Sequence, residues 1–134
     1  MGVAENVDDW AREVAAAAST FSFVQTVLTI DKNPAALKMR LFLGPEFFVQ
    51  VYVNVVTGTR NFALVLGRQR LYARDCVGGV WHRHPYRDSD AHDFSAEGAR
   101  PVTVVKFLIE YRNSLKRPGC CNACSVLIQA FMPG

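Results

Sequence analysis

All three histidines of the chain, His82, His84 and His92, lie within eleven residues of one another, close to Asp75 and Cys76. If residues 80–84 are extended, His82 and His84 project from the same face, because side chains alternate along a strand. Imidazole titrates near neutral pH and is also a common zinc ligand. The stretch therefore suits proton transfer or metal binding, with an incidental surface placement as the third alternative.

Arginines give this stretch a local positive charge. From residue 68 to residue 87 there are five arginines and one acidic residue, a balance of +4, whereas the whole chain carries +3. Such a patch attracts phosphate, although a solvated strand face explains it equally well. Beside arginines, one imidazole can activate a ribose 2′-hydroxyl while another protonates the leaving oxygen. This chemistry needs no cofactor, and it would use Arg74 and Arg83 as phosphate contacts and Tyr72 as a base-stacking residue.

A metal site is the alternative chemistry, and it brings zinc as the alternative cofactor. His82 and His84 would be joined by a third ligand from His92, Asp93 or Cys76. The C-terminal stretch also contains half of a common zinc motif, a Cys-x-x-Cys pair, without a second half at suitable spacing. The three cysteines of that stretch are Cys120, Cys121 and Cys124.

The apolar pattern predicts an α+β fold, an antiparallel meander of five to six strands flanked by an N-terminal and a C-terminal helix. Connections between successive strands are short, which favours antiparallel neighbours over parallel crossovers. Helical spacing predicts the two helices at residues 6–20 and 101–116. The predicted strands cover residues 23–30, 37–43, 47–55, 62–66, 70–76 and 80–84.

The 134 residues are a typical size for one domain, and half of them are apolar, which suffices for a core. We expect a single α+β domain over residues 1–117 and a cysteine-containing tail over residues 118–134. No stretch resembles a membrane helix or a secretion signal, which predicts a cytoplasmic protein with reduced thiols and without a membrane partner. The apolar run within the tail makes a homodimer possible.

Residues 70–86 and 91–94 resemble the small toxin family of the TumE kind, which occurs in toxin–antitoxin pairs. The likeness extends over about residues 37–115, with a meander, a histidine-rich segment with proline and a closing helix. It implies growth inhibition through RNA and a cognate antitoxin as partner. The positions that match the family's pattern are Tyr72, Asp75, His82, His84, Pro85 and His92.

Three functions follow from these observations. The leading hypothesis is a toxin-like protein that acts on RNA, a metal-independent ribonuclease and so a hydrolase. The second is a metal-binding protein, and the third is a noncatalytic protein-binding module that uses the sheet. In the ribonuclease hypothesis the catalytic residues are His82, His84, His92 and Asp75, and the substrate-binding residues are Arg74, Arg83 and Tyr72.

Overall fold

The computed structural model describes residues 4–115, which form two helices and one six-stranded sheet. The strands follow one another in chain order, and every neighbouring pair is antiparallel. The predicted α+β meander with a helix near each end is therefore confirmed. The elements are α1 (Val7–Thr20), β1 (Thr26–Lys32), β2 (Ala36–Phe42), β3 (Phe47–Asn54), β4 (Arg60–Leu66), β5 (Gln69–Val77), β6 (Val80–His84) and α2 (Val104–Ser114).

Most predicted boundaries lie within two residues of the observed ones, and the two largest differences are three residues each. The first strand begins at Thr26 and not at residue 23, because the ring of Phe23 packs against Tyr111 of α2 at 5.2 Å. The second helix begins after Thr103, whose side chain accepts a hydrogen bond from the backbone N–H of Lys106 and caps the helix. The predicted tail of residues 118–134 and the boundary at residue 117 lie outside the described residues.

The register divides the sheet into two faces. One face packs against the helices and carries apolar side chains that are almost completely buried, such as Leu37, Val51 and Phe62. The opposite face, here called the polar face, shows the other set of alternating residues. Strand pairing aligns one row of its side chains across the sheet, from β2 to β6: Lys38, Tyr52, Asn61, Asp75 and His82.

A buried arginine connects the sheet to α2. Arg74 is 1% exposed, and its Nε and Nη2 donate to the two carboxylate oxygens of Glu110 at 3.0 and 2.6 Å. Its Nη1 donates to the backbone carbonyls of Glu97 and Gly98 at 2.8 and 3.0 Å. A charge that has left water needs this full set of partners, so Arg74 fixes the position of α2 and of the loop before it.

Tyr72 joins the same network, because its hydroxyl donates to Oε1 of Glu110 at 3.0 Å. Burial, followed by the nearby Glu110 carboxylate, raises the pKa of Tyr72 to about 12. The phenol therefore remains a neutral donor at physiological pH. Its ring stacks on Tyr86 at 4.5 Å, so the aromatic face is already occupied within the protein.

We expect Glu110→Gln to destabilise the fold by about 2–4 kcal/mol, because it leaves the Arg74 guanidinium without a countercharge. The lower part of that range reflects the partial exposure of the Glu110 side chain, 30%. Urea unfolding at equilibrium measures the effect. Glu97→Gln is the matched control, because its side chain is 65% exposed and surface pairs contribute little. Equal losses in the two variants would contradict this account of Arg74.

Candidate functional site

A tight hairpin places Asp75 opposite His82. β5 and β6 are joined by Gly78 and Gly79, whose φ angles are +58° and +78°, the positive values that a two-residue hairpin turn requires. The ladder that starts at this turn pairs Asp75 with His82. The double glycine therefore sets the register that brings a carboxylate beside an imidazole.

The alternation along β6 separates two sets of side chains. His82 and His84 lie on the polar face and are 8% and 3% exposed. Trp81 and Arg83 lie on the helix side, where the Trp81 ring packs 6.1 Å from that of Phe62. The arrangement agrees with the same-face placement of the two histidines that the period of two predicts.

A short backbone bridge brings the third histidine to the other two. Arg83 and Asp93 exchange two backbone hydrogen bonds, of 3.0 and 2.8 Å, along the outer edge of β6. In this antiparallel pairing residue 92 lies beside residue 84, on the polar face. The ring centroid of His92 is consequently 4.7 Å from that of His84 and 5.1 Å from that of His82.

The side chains of the bridging pair reinforce the bridge from the helix side. Nε of Arg83 donates to Oδ2 of Asp93 at 2.8 Å, and Nη2 lies 2.6 Å from the same oxygen. Hydrogen bonds from Ser95, followed by that from Arg83, lower the pKa of Asp93 to about 2. The carboxylate is therefore ionised at any physiological pH, and the bridge stays charge-assisted.

Three polar atoms converge at the centre of the cluster. The Nε2 atoms of His82 and His84 are 3.1 Å apart. Oδ2 of Asp75 is 3.1 Å from Nε2 of His84 and 3.5 Å from Nε2 of His82. One ligand atom from each of His82, His84 and His92 lies within 4.8 Å of the others. The second oxygen of Asp75 accepts a hydrogen bond from the amide of Asn61 on β4, which orients the carboxylate.

Burial lowers the pKa of His82; the Asp75 carboxylate opposes this shift, and the proximity of His84, His92 and Arg70 adds to it. The lowered pKa favours the neutral form of His82, which keeps a lone pair on one ring nitrogen. A neutral imidazole is the form that binds a metal ion, and it is also the form that accepts a proton.

The structure brings four of the predicted site residues together and separates the other three from them. Asp75, His82, His84 and His92 form the cluster on the polar face. Tyr72, Arg74 and Arg83, the predicted substrate contacts, lie on the helix side, where protein groups already bind them. Cys76 pairs with Trp81 on that side too and is buried.

Three neighbours of the cluster did not emerge from the sequence as site residues. Asn61 orients Asp75, Arg70 hydrogen-bonds His84, and the Phe94 ring lies 5.1 Å from that of His82. Only the pairing of β4 with β5 shows the proximity of Asn61. Phe94 follows the same alternation as His92, once the bridge at Asp93 is known.

We expect Gly98→Ala to displace His92, although Gly98 is not one of the four residues of the cluster. A Cβ atom at Gly98 would lie 2.3 Å from the backbone oxygen of Asp93, so the bridging segment must move. The cost should be about 1–3 kcal/mol in the free energy of unfolding. The imidazole NMR signals of His92 should shift at the same time. Ala96→Ser, an exposed change of similar size in the same loop, should leave both readouts unchanged. An undisturbed His92 signal in the glycine variant would contradict the predicted displacement.

Neither described helix has the length and apolar character needed to cross a bilayer. Comparison of the chain with protein-family models, with curated proteins and with solved structures found no match. The resemblance to the toxin family of the TumE kind stays a prediction from the residues.

Proposed function

We propose that this protein binds a divalent transition-metal ion through Asp75, His82, His84 and His92. The observation that carries the proposal is the triangle of Nε2, Nε2 and Oδ2 atoms, with sides of 3.1, 3.1 and 3.5 Å. Ligand atoms that lie about 2.1 Å from one metal ion are separated by about 3.4 Å in a tetrahedral site and about 3.0 Å in an octahedral one. The three atoms therefore have the spacing of ligands on one ion.

The chemistry of the ligands supports the same conclusion. Imidazole nitrogens suit zinc, iron and nickel, and one carboxylate adds a negative charge that partly neutralises the ion. Asn61 holds the second Asp75 oxygen, the type of outer hydrogen bond that orients metal ligands in known sites. His92 is exposed, whereas His82 and His84 are buried, so an ion can enter from the side of His92.

The same geometry is less suited to metal-independent cleavage of RNA. A general base and a general acid must stand on opposite sides of the reacting phosphorus, whereas the Nε2 atoms of His82 and His84 face each other at 3.1 Å. Arg74 already donates four hydrogen bonds within the protein. The action on RNA, the antitoxin partner and the homodimer stay predictions.

Untagged protein should bind one zinc or cobalt ion per chain, measured by titration in competition with a chromophoric chelator. Loss of one ligand should weaken binding by at least about 100-fold, because each ligand contributes a large share of the affinity. His92→Ala tests this without disturbing the core, and His84→Ala tests the buried ligand once its folding has been checked by circular dichroism. Asp88→Asn, which changes an exposed carboxylate in the adjoining loop, should bind like wild type. A stoichiometry far below one would refute the metal centre.

A labelled single-stranded RNA separates the proposal from the ribonuclease hypothesis. We expect the protein not to cleave the RNA once EDTA has removed its metal. Cleavage that continues in EDTA and disappears in His82→Gln would contradict the metal proposal and support proton transfer by the histidines. Arg68→Lys, in the exposed turn between β4 and β5, keeps the positive charge outside the cluster and should leave any cleavage unchanged, so it serves as the control.

A further inference from the structure

The side chain of Arg70 lies beside one of the two ring nitrogens of His84. Nη2 of Arg70 is 3.3 Å from Nδ1 of His84, within hydrogen-bond distance. A guanidinium can only donate, so Nδ1 must accept. The proton of a neutral His84 ring then resides on Nε2, the nitrogen that faces Asp75 and His82.

That arrangement opposes the use of Nε2 as a metal ligand. An ion bound at Nε2 needs the lone pair there, so the proton must move to Nδ1. The Nδ1–H group would then face an N–H of Arg70, and two donors would meet. In established metal sites the second nitrogen of a ligating histidine donates to a carbonyl or a carboxylate instead.

Arg70 also has partners outside the cluster. The same Nη2 donates to the backbone carbonyl of Ser89 at 2.7 Å, and it lies 4.0 Å from the carboxylate of Asp90. Both groups belong to the loop that leads from β6 to His92. The guanidinium therefore keeps hydrogen-bond partners when it leaves Nδ1, and its position connects His84 to this loop.

We propose that Arg70 sets the metal affinity of the site by holding His84 in the tautomer that cannot bind at Nε2. The consequence is an exchangeable ion rather than a permanently held one, with Arg70 withdrawn towards Ser89 and Asp90 when the ion is present. This inference rests on the proposed metal centre and adds a residue that determines how tightly that centre binds.

The test compares two substitutions that remove the same charge. Arg70→Gln provides a carbonyl oxygen that can accept from Nδ1–H, whereas Arg70→Met provides no acceptor. With zinc and cobalt as probes, we expect Arg70→Gln to bind at least about 10-fold more tightly than wild type, and at least about threefold more tightly than Arg70→Met. An effect of charge alone would appear equally in both variants.

Nitrogen NMR of protein labelled in its histidines reads the tautomer directly, without metal. Wild type should show His84 with a protonated Nε2 and an unprotonated Nδ1, and Arg70→Gln should shift this balance towards Nδ1–H. The opposite tautomer in wild type would overturn the role of Arg70. If wild type binds metal, an unchanged or weaker affinity in Arg70→Gln would also overturn the role of Arg70. Absence of binding in all three proteins would instead refute the metal centre itself.

Discussion

The buried guanidinium of Arg74 organises the part of the molecule that surrounds the histidines. Arg74 must find partners for its charge, and it finds them in Glu110 of α2 and in the carbonyls of residues 97 and 98. Those contacts fix the loop in which Gly98 packs closely against Asp93. Asp93 in turn pairs with Arg83 and places His92. The geometry of the cluster on one face of the sheet thus depends on electrostatics on the other.

The alternation of strand residues explains why neighbours in sequence have such different roles. Arg74 forms an ion pair with Glu110 of α2, whereas the adjacent Asp75 faces the histidines. Arg83 binds Asp93 while the residues on either side of it, His82 and His84, form the cluster. Each strand of this hairpin therefore contributes support through one face and candidate chemistry through the other. A register slip by one residue would exchange the two sets and leave charges in the core.

Local sequence was sufficient for the fold and for part of the site. The alternating apolar residues of β2 and β3 predicted strands, and the same alternation is seen in the burial of their side chains. The shared face of His82 and His84 followed from the same period. The polar side chains of Tyr72 and Arg74 suggested exposed positions, but both lie on the helix side of the sheet. Glu110, thirty-six residues beyond Arg74, binds both of them. The proximity of Asn61 and Arg70 to the cluster depends on strand pairing and on a loop path that no local pattern encodes.

The bridge between Arg83 and Asp93 also covers part of the free edge of β6. An uncovered strand margin is a template on which other chains can pair and aggregate. At the opposite end of the sheet, β1 is exposed in all seven of its residues, and an irregularity between Thr29 and Asp31 interrupts its ladder. An ion that holds His92 against β6 would keep the bridging segment in place. Occupancy of the site would thereby also influence the solubility of the protein, because the edge of β6 is protected by a loop and not by an irregularity of the strand itself.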